Sequence, residues 1–155
     1  EEIGKILDSG DFSYINIKNP ILRVCHPKVA IKLAGLPIED FNKVVEKGKI
    51  IEERLLALKA KTKIIGDVRA KGLMIGTEFV NPKGQPDAIG SLPASGEIAA
   101  KVQKICFENG FVAEKGGRGG SVMRCLCALN ITKDEINTAM DIFEKVVLQV
   151  AKDYE

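Results

Sequence analysis

Apolar positions recur along this chain at two spacings, and the spacing changes from stretch to stretch. Between Pro37 and Lys59, Phe41, Val44, Val45, Ile51, Leu55 and Leu58 mark one face, while Lys43, Glu46, Lys47, Lys49, Glu53 and Arg54 fill much of the rest. That is the pattern of an amphipathic helix of about six turns. Pro37 suits a first helical position, and Glu39 and Asp40 suit the positive end of the helix dipole. The pattern then shortens. Leu73, Met74, Ile75, Phe79 and Val80 form an apolar run punctuated by Gly66, Gly72 and Gly76. Gly is poor inside helices and acceptable where a strand bends or another backbone approaches, so Gly66–Val80 reads as a strand pair or one long bent strand.

Helical spacing returns with Ile98, Val102, Ile105 and Cys106, behind an N-capping Ser95 and ahead of an Asn109-Gly110 stop. Phe111–Glu114 reads as a short strand, Gly116–Gly120 as a loop and Val122–Leu129 as a second strand. Thr132-Lys-Asp-Glu135 has the spacing of a capping box. Behind it Ile136, Ala139, Met140, Phe143, Val147 and Val150 predict a last helix to about Lys152. Asn81–Asp87, rich in Pro, Gly and Asn, reads as an exposed connection. Upstream, Phe12–Lys18 alternates like a strand, and Pro20 and Pro27 interrupt the chain after it. The order from residue 37 is helix, strand or strand pair, helix, strand, strand, helix. This predicts an α/β fold of the α+β type: a two-layer sandwich with a small, largely antiparallel sheet and helices on one face. Residues 1–36 are a poorly defined N-terminal segment, and 37–155 form the domain.

Composition narrows the function classes. A chain of 155 residues that is 45% hydrophobic supports a single core, and with 5% aromatics and no Trp that core must be aliphatic. A net charge of +2 from 23 basic and 21 acidic residues does not suggest nucleic acid or an anionic membrane as partner. No apolar run approaches the roughly 20 residues of a membrane span, and the acidic Glu1–Gly4 is unlike a signal peptide, so a cytoplasmic setting is expected. Cys25, Cys106, Cys125 and Cys127 include no Cys-x-x-Cys pair, and His26 is the single histidine, which is too few ligands for a zinc site. Cys106 falls on the apolar side of its helix. Cys125 and Cys127 flank Leu126 and share one face, where a reduced pair is expected.

Two features invite chemistry. Gly116-Gly-Arg-Gly-Gly120 could present backbone N–H groups to a phosphate, but Walker-type loops end in Gly-Lys-Ser/Thr at a helix start and this one leads into a strand. The plainer reading is a flexible connection bearing one exposed Arg118. Arg124 stands between Met123 and Cys125 in an apolar strand. A guanidinium there either lies on the strand's wet face or meets an anion, and its planar fork suits a carboxylate. The strand alternation groups it with Val122 and Leu126, and Gly116–Thr132 contains no acid to neutralise it.

The wording of Asp67-Val-Arg-Ala-Lys-Gly-Leu-Met-Ile-Gly-Thr-Glu-Phe-Val80 closely resembles the strand that opens the small C-terminal domain of class III pyridoxal-phosphate aminotransferases. Gly116-Gly-Arg-Gly-Gly120 and Arg124-Cys-Leu-Cys-Ala-Leu129 continue the resemblance, which spans about residues 40–153 and is nearest to diaminobutyrate transaminases in the glycine loop. It implies the C-terminal domain of a fold-type I enzyme that moves amino groups between an ω-amino donor and 2-oxoglutarate. It implies that Arg124 binds the α-carboxylate of the substrate, with Arg118 in an auxiliary substrate-binding place. Two departures stand out. Cys127-Ala128 occupies the family's Pro-Pro. No stretch resembles the large domain, which carries the cofactor's lysine, its aspartate partner and its phosphate cup. Pyridoxal phosphate is therefore expected in the parent family and not on this chain, and the chain alone is expected to be inactive. The implied partner is a large domain, if that is encoded separately. An uncovered sheet face, expected to be apolar, would offer a route to self-association. A non-catalytic binding or oligomerisation module is the second reading.

Overall fold

A computed structural model describes residues 40–155, with side chains from Lys43 onward. The expectations for Phe12–Lys18, Cys25, His26 and the segment 1–36 lie outside the described residues. In chain order the elements are α1 (Asp40–Lys59), β1 (Ile65–Lys71), β2 (Met74–Phe79), α2 (Gly96–Glu108), β3 (Glu114–Gly116), a 3-10 turn (Arg118–Gly120), β4 (Val122–Leu126) and α3 (Lys133–Ala151). The sheet has four strands in the order β1-β2-β4-β3, and every neighbouring pair is antiparallel.

The glycine-punctuated stretch is therefore a strand pair. Lys71 pairs with Met74, leaving Gly72 and Leu73 as a two-residue turn in which Gly72 has φ of 56°. Gly48, in the middle of α1, explains itself at this turn. A Cβ on Gly48 would lie 2.3 Å from the Gly72 carbonyl oxygen, so only a glycine lets the helix rest on the hairpin. Gly in an exposed helix interior costs about 1 kcal/mol relative to Ala, and here the close approach requires it.

Alternation along the strands separates two faces. Ile75, Thr77 and Phe79 of β2 and Met123 of β4 turn inward and are buried. Ile51, Leu55 and Leu58 of α1, Ile98, Val102 and Cys106 of α2, and Ile136, Met140, Phe143 and Val147 of α3 close over them. Phe143 meets Phe79 and Phe111 edge to face at 6.5 and 6.0 Å. Arg54 ties α1 to α3 through Asp141 (2.5 Å) and Glu144 (2.6 Å); the Glu144 hydrogen bond is the larger cause of its raised pKa.

The helix ends follow the sequence signals. Ser95 accepts from the Ile98 N–H at 3.3 Å, and Gly110 takes the left-handed conformation (φ 84°) just past the Asn109 C-cap. Thr132 and Glu135 form a reciprocal capping box. Two strand boundaries differ from expectation. Phe111–Glu114 is not the strand; β3 begins at Glu114. Phe111 is apolar for another reason: its N–H closes the end of α2 on the Cys106 carbonyl at 2.9 Å, and its ring packs on Phe143. The second strand stops at Leu126 and does not run to Leu129.

Candidate functional site at the open face of the β3–β4 hairpin

The strand registers lay out the face turned away from the helices. One row runs Lys71, Met74, Leu126; the next Arg69, Gly76, Arg124, Glu114; the third Asp67, Glu78, Val122, Gly116. The face is mixed, contrary to the apolar face expected. Met74 and Leu126 are 62% and 57% exposed and directly paired, but Arg69 bridges Asp67 (2.8 Å) and Glu78 (3.0 Å) beside them. Ion pairing within the face supplies polar groups that the apolar spacing did not reveal.

Arg124 stands at the centre of this face, as the alternation predicts, with 43% of its side chain exposed. It is not left to solvent or a stray anion. Its Nη2 donates to Glu114 Oε1 at 3.0 Å. The acid comes from the directly paired residue of the neighbouring strand, which a search along Gly116–Thr132 does not reach. Two glycines make room for the guanidinium. A Cβ on Gly116 would fall 2.2 Å from Arg124 Nη2, so the fork lies directly over that backbone. On the other flank the register partner is Gly76, which contributes no side chain. The result is a shallow, partly exposed spot in which the guanidinium lies over Gly116 beside a carboxylate.

Arg118 sits in the turn of the same hairpin and is exposed. Its guanidinium makes no hydrogen bond or ion pair with the described residues, while its carbonyl accepts from the buried Ser121 hydroxyl at 3.0 Å. The Ser121 carbonyl in turn accepts the Phe79 N–H at 2.8 Å, pinning the turn to the end of β2. On the other side a Cβ on Gly96, the first residue of α2, would meet the Gly119 carbonyl oxygen at 2.0 Å. The glycine-rich connection is thus clamped, not flexible. The N–H groups of Gly120 and Ser121 bond back to Gly117 and Arg118, so they are not presented to a phosphate. Glu114 is the site residue that sequence reasoning missed; its signal was an acid placed opposite Arg124 once the two strands pair.

The described residues do not fit pyridoxal phosphate. None of their lysines is buried. A groove of about 560 Å³ beside β1 is lined by Lys63 and Arg69, but Asp67 and Glu78 line it too and already engage Arg69, so it offers a phosphate no net positive charge. Among the described residues no cluster of three or more His, Cys, Asp or Glu could hold a metal, and no helix is long and apolar enough to cross a membrane.

Comparison with known proteins gives this architecture its context. The four-stranded sheet and its three helices are a portion of the fold-type I aminotransferase fold. A Bacillus anthracis aminotransferase superposes with a TM-score of 0.62 at 21% identity, over 79% of this chain and 26% of that one. The family model for aminotransferase class-III matches residues 33–147, and the chain belongs to that family, whose members depend on pyridoxal phosphate. It is 39% identical over 107 residues to a diaminobutyrate–2-oxoglutarate aminotransferase of Haemophilus influenzae, covering 69% of this chain and 24% of the relative. It is 37% identical over 113 residues to an alanine/serine racemase of Pyrococcus horikoshii, covering 71% and 22%. The chain spans about a quarter of the length of these relatives.

Proposed function

We propose that this chain is the carboxylate-binding C-terminal part of a class III aminotransferase that moves an amino group between an ω-amino donor and 2-oxoglutarate, and that it is silent by itself. The observation that carries this reading is Arg124, held over Gly116 with its fork open to a ligand and paired only at the surface. A substrate carboxylate would replace Glu114 and take the fork through two parallel hydrogen bonds. Arg118, on the turn of the same hairpin, would add charge at the rim without setting geometry.

In such enzymes the cofactor supplies the electron sink, and the protein's part is to bind and orient the substrate against it. This chain's share is orientation: the β4 backbone fixes Arg124, and the clamped turn fixes the distance between β3 and α2. The rest of the parent enzyme is the proposed partner, supplying the lysine and phosphate site, and a cytoplasmic setting belongs to the same proposal. The 2-oxoglutarate assignment rests on similarity to the diaminobutyrate enzyme; the racemase relative, 37% identical, carries a different named activity.

A non-catalytic module that self-associates is the second reading, favoured by the exposed Met74–Leu126 pair. The two separate by titrating the chain with pyridoxal phosphate, reducing with borohydride and digesting. The proposal expects no stoichiometric adduct at one defined lysine, together with weak 2-oxoglutarate shifts around Arg124 in NMR. A stoichiometric adduct overturns the silent reading. Absence of any shift near Arg124 at saturating ligand favours the module.

A further inference from the structure

The two outer strands of the sheet are unequal. β3 has three residues, whereas β1 has seven and, among the described residues, a neighbour on one side only. The β1–β2 hairpin decides which groups of β1 point away from the sheet. Its two-residue turn closes on the Lys71–Met74 pair, and from there hydrogen-bonded pairs alternate with non-bonded ones. Lys71 and Arg69 therefore direct their N–H and C=O groups at β2, while Ala70 and Val68 turn theirs outward. Asp67 and Arg69 stand two residues apart on the open face of this edge, about half exposed at 47% and 56%. Val68, between them, packs toward the core on the other face. Outer strands are commonly blunted by charges or bulges. Here the bulge falls between Ile65 and Asp67, which leaves Asp67–Lys71 regular.

We propose that a second copy of this chain pairs with it edge to edge, β1 antiparallel to β1 across a two-fold axis at Val68, so that the two sheets become one. The order of charges selects both the occupant and the register. An axis at Val68 sets Asp67 opposite the partner's Arg69 and Arg69 opposite the partner's Asp67. It also joins Val68 to the partner's Val68 through their outward N–H and C=O groups. The two charged pairs take the non-hydrogen-bonded positions of the new ladder, where side chains come closest and opposite charges attract. An axis at Arg69 sets two guanidinium groups against each other, and an axis at Ala70 sets Arg69 against Lys71; like charges directly opposite are destabilising. A foreign strand would need a base and an acid at this spacing and in this order, and the chain itself carries both. No charge is left alone by the exchange: Arg69 keeps Glu78 at 3.0 Å and replaces its own Asp67, at 2.8 Å, with the partner's. One short strand from each copy falls below the roughly 1,000 Å² of a stable interface, so the dimer is weak and concentration-dependent. This association does not depend on the amino-transfer reading.

Sedimentation equilibrium of the whole chain at low salt should show a monomer–dimer equilibrium that added salt weakens. Asp67→Lys and Arg69→Glu should each weaken it roughly fivefold or more. An equimolar mixture of the two variants should restore it, because both charged pairs across the mixed interface are again of opposite sign. Met74→Gln, on the exposed part of the open face, should leave the dimer unchanged. Hydrogen exchange of the native chain decides even if a variant fails to fold. The Val68 amide should gain protection as concentration rises, and the Arg69 amide, already bonded to β2, should not. A chain still monomeric at about 1 mM overturns the inference. So does a dimer indifferent to both charge variants, a mixture that fails to restore it, a dimer lost in Met74→Gln, or a Val68 amide equally protected at every concentration.

Discussion

Arg124 Nη2 donates to Glu114 Oε1 at 3.0 Å, straight across the β4–β3 ladder. Both side chains are about half exposed, at 43% and 57%. Exposed ion pairs of this kind contribute under about 1 kcal/mol, so the contact is easily exchanged for another carboxylate. If Arg124 receives a substrate carboxylate as proposed, Glu114 is an internal competitor that holds the fork while no ligand is present.

On this account Glu114→Gln should leave the fold intact and tighten carboxylate binding. Removing a competitor worth about 0.5–1 kcal/mol should strengthen 2-oxoglutarate binding roughly two- to fivefold. NMR titration of the two proteins side by side reads this directly. Weaker binding in the variant would make Glu114 a supporting residue and not a competitor.

The two glycine approaches should respond differently to a methyl group. At Gly96 the added Cβ meets the Gly119 carbonyl oxygen, a backbone atom in a clamped turn, so Gly96→Ala should cost about 1–3 kcal/mol. At Gly116 the added Cβ meets only the far end of the Arg124 side chain, which can swing away. Gly116→Ala should therefore lose little stability and still displace Arg124 from Glu114. Urea denaturation gives the first comparison and the Arg124 side-chain NMR resonances the second.

How much of the fold and site was legible in the sequence depended on whether one element decided the matter. The capping box at Thr132, the Ser95 cap and the Gly110 stop were readable because each is settled by a few adjacent residues. Arg124 was readable as outward-facing because period-two alternation fixes a strand's faces. Glu114 was not, because its meaning arises only when β3 pairs with β4. The Phe111 misplacement has a similar cause: an apolar residue after a helix stop suits either a strand or a core cap, and only the position of Phe143 chooses. The mixed open face came from Asp67, Arg69 and Glu78, whose pairing spans two strands.

Acid should weaken the fold through two carboxylates. Glu135 is held below the ordinary carboxylate range by the Thr132 backbone N–H and then its hydroxyl, and Glu155 by the Thr62 hydroxyl and then the Lys63 N–H. A group whose folded pKa is depressed contributes stability above its unfolded pKa, and that contribution is lost as pH falls through the folded value. Stability should thus fall below the usual carboxylate range, with a shallower fall in Glu135→Gln. Separately, Thr132→Ala should cost about 1 kcal/mol at neutral pH. Denaturant midpoints measured from neutral to acid pH check both, and a Glu135→Gln curve parallel to the wild type would refute the first.

The central claim is that Arg124 is the group that receives the substrate carboxylate once a cofactor-binding domain is present. The most direct measurement is made in a chimera: residues 40–155 replace the matching part of the Haemophilus influenzae diaminobutyrate–2-oxoglutarate aminotransferase, and steady-state kinetics are compared with and without Arg124→Ala. Loss of charge-assisted hydrogen bonds worth about 1.5–3 kcal/mol should raise the KM for 2-oxoglutarate roughly 10- to 150-fold, with Arg124→Lys recovering only part of it. An active chimera whose KM for 2-oxoglutarate is the same with Ala at position 124 would contradict the account.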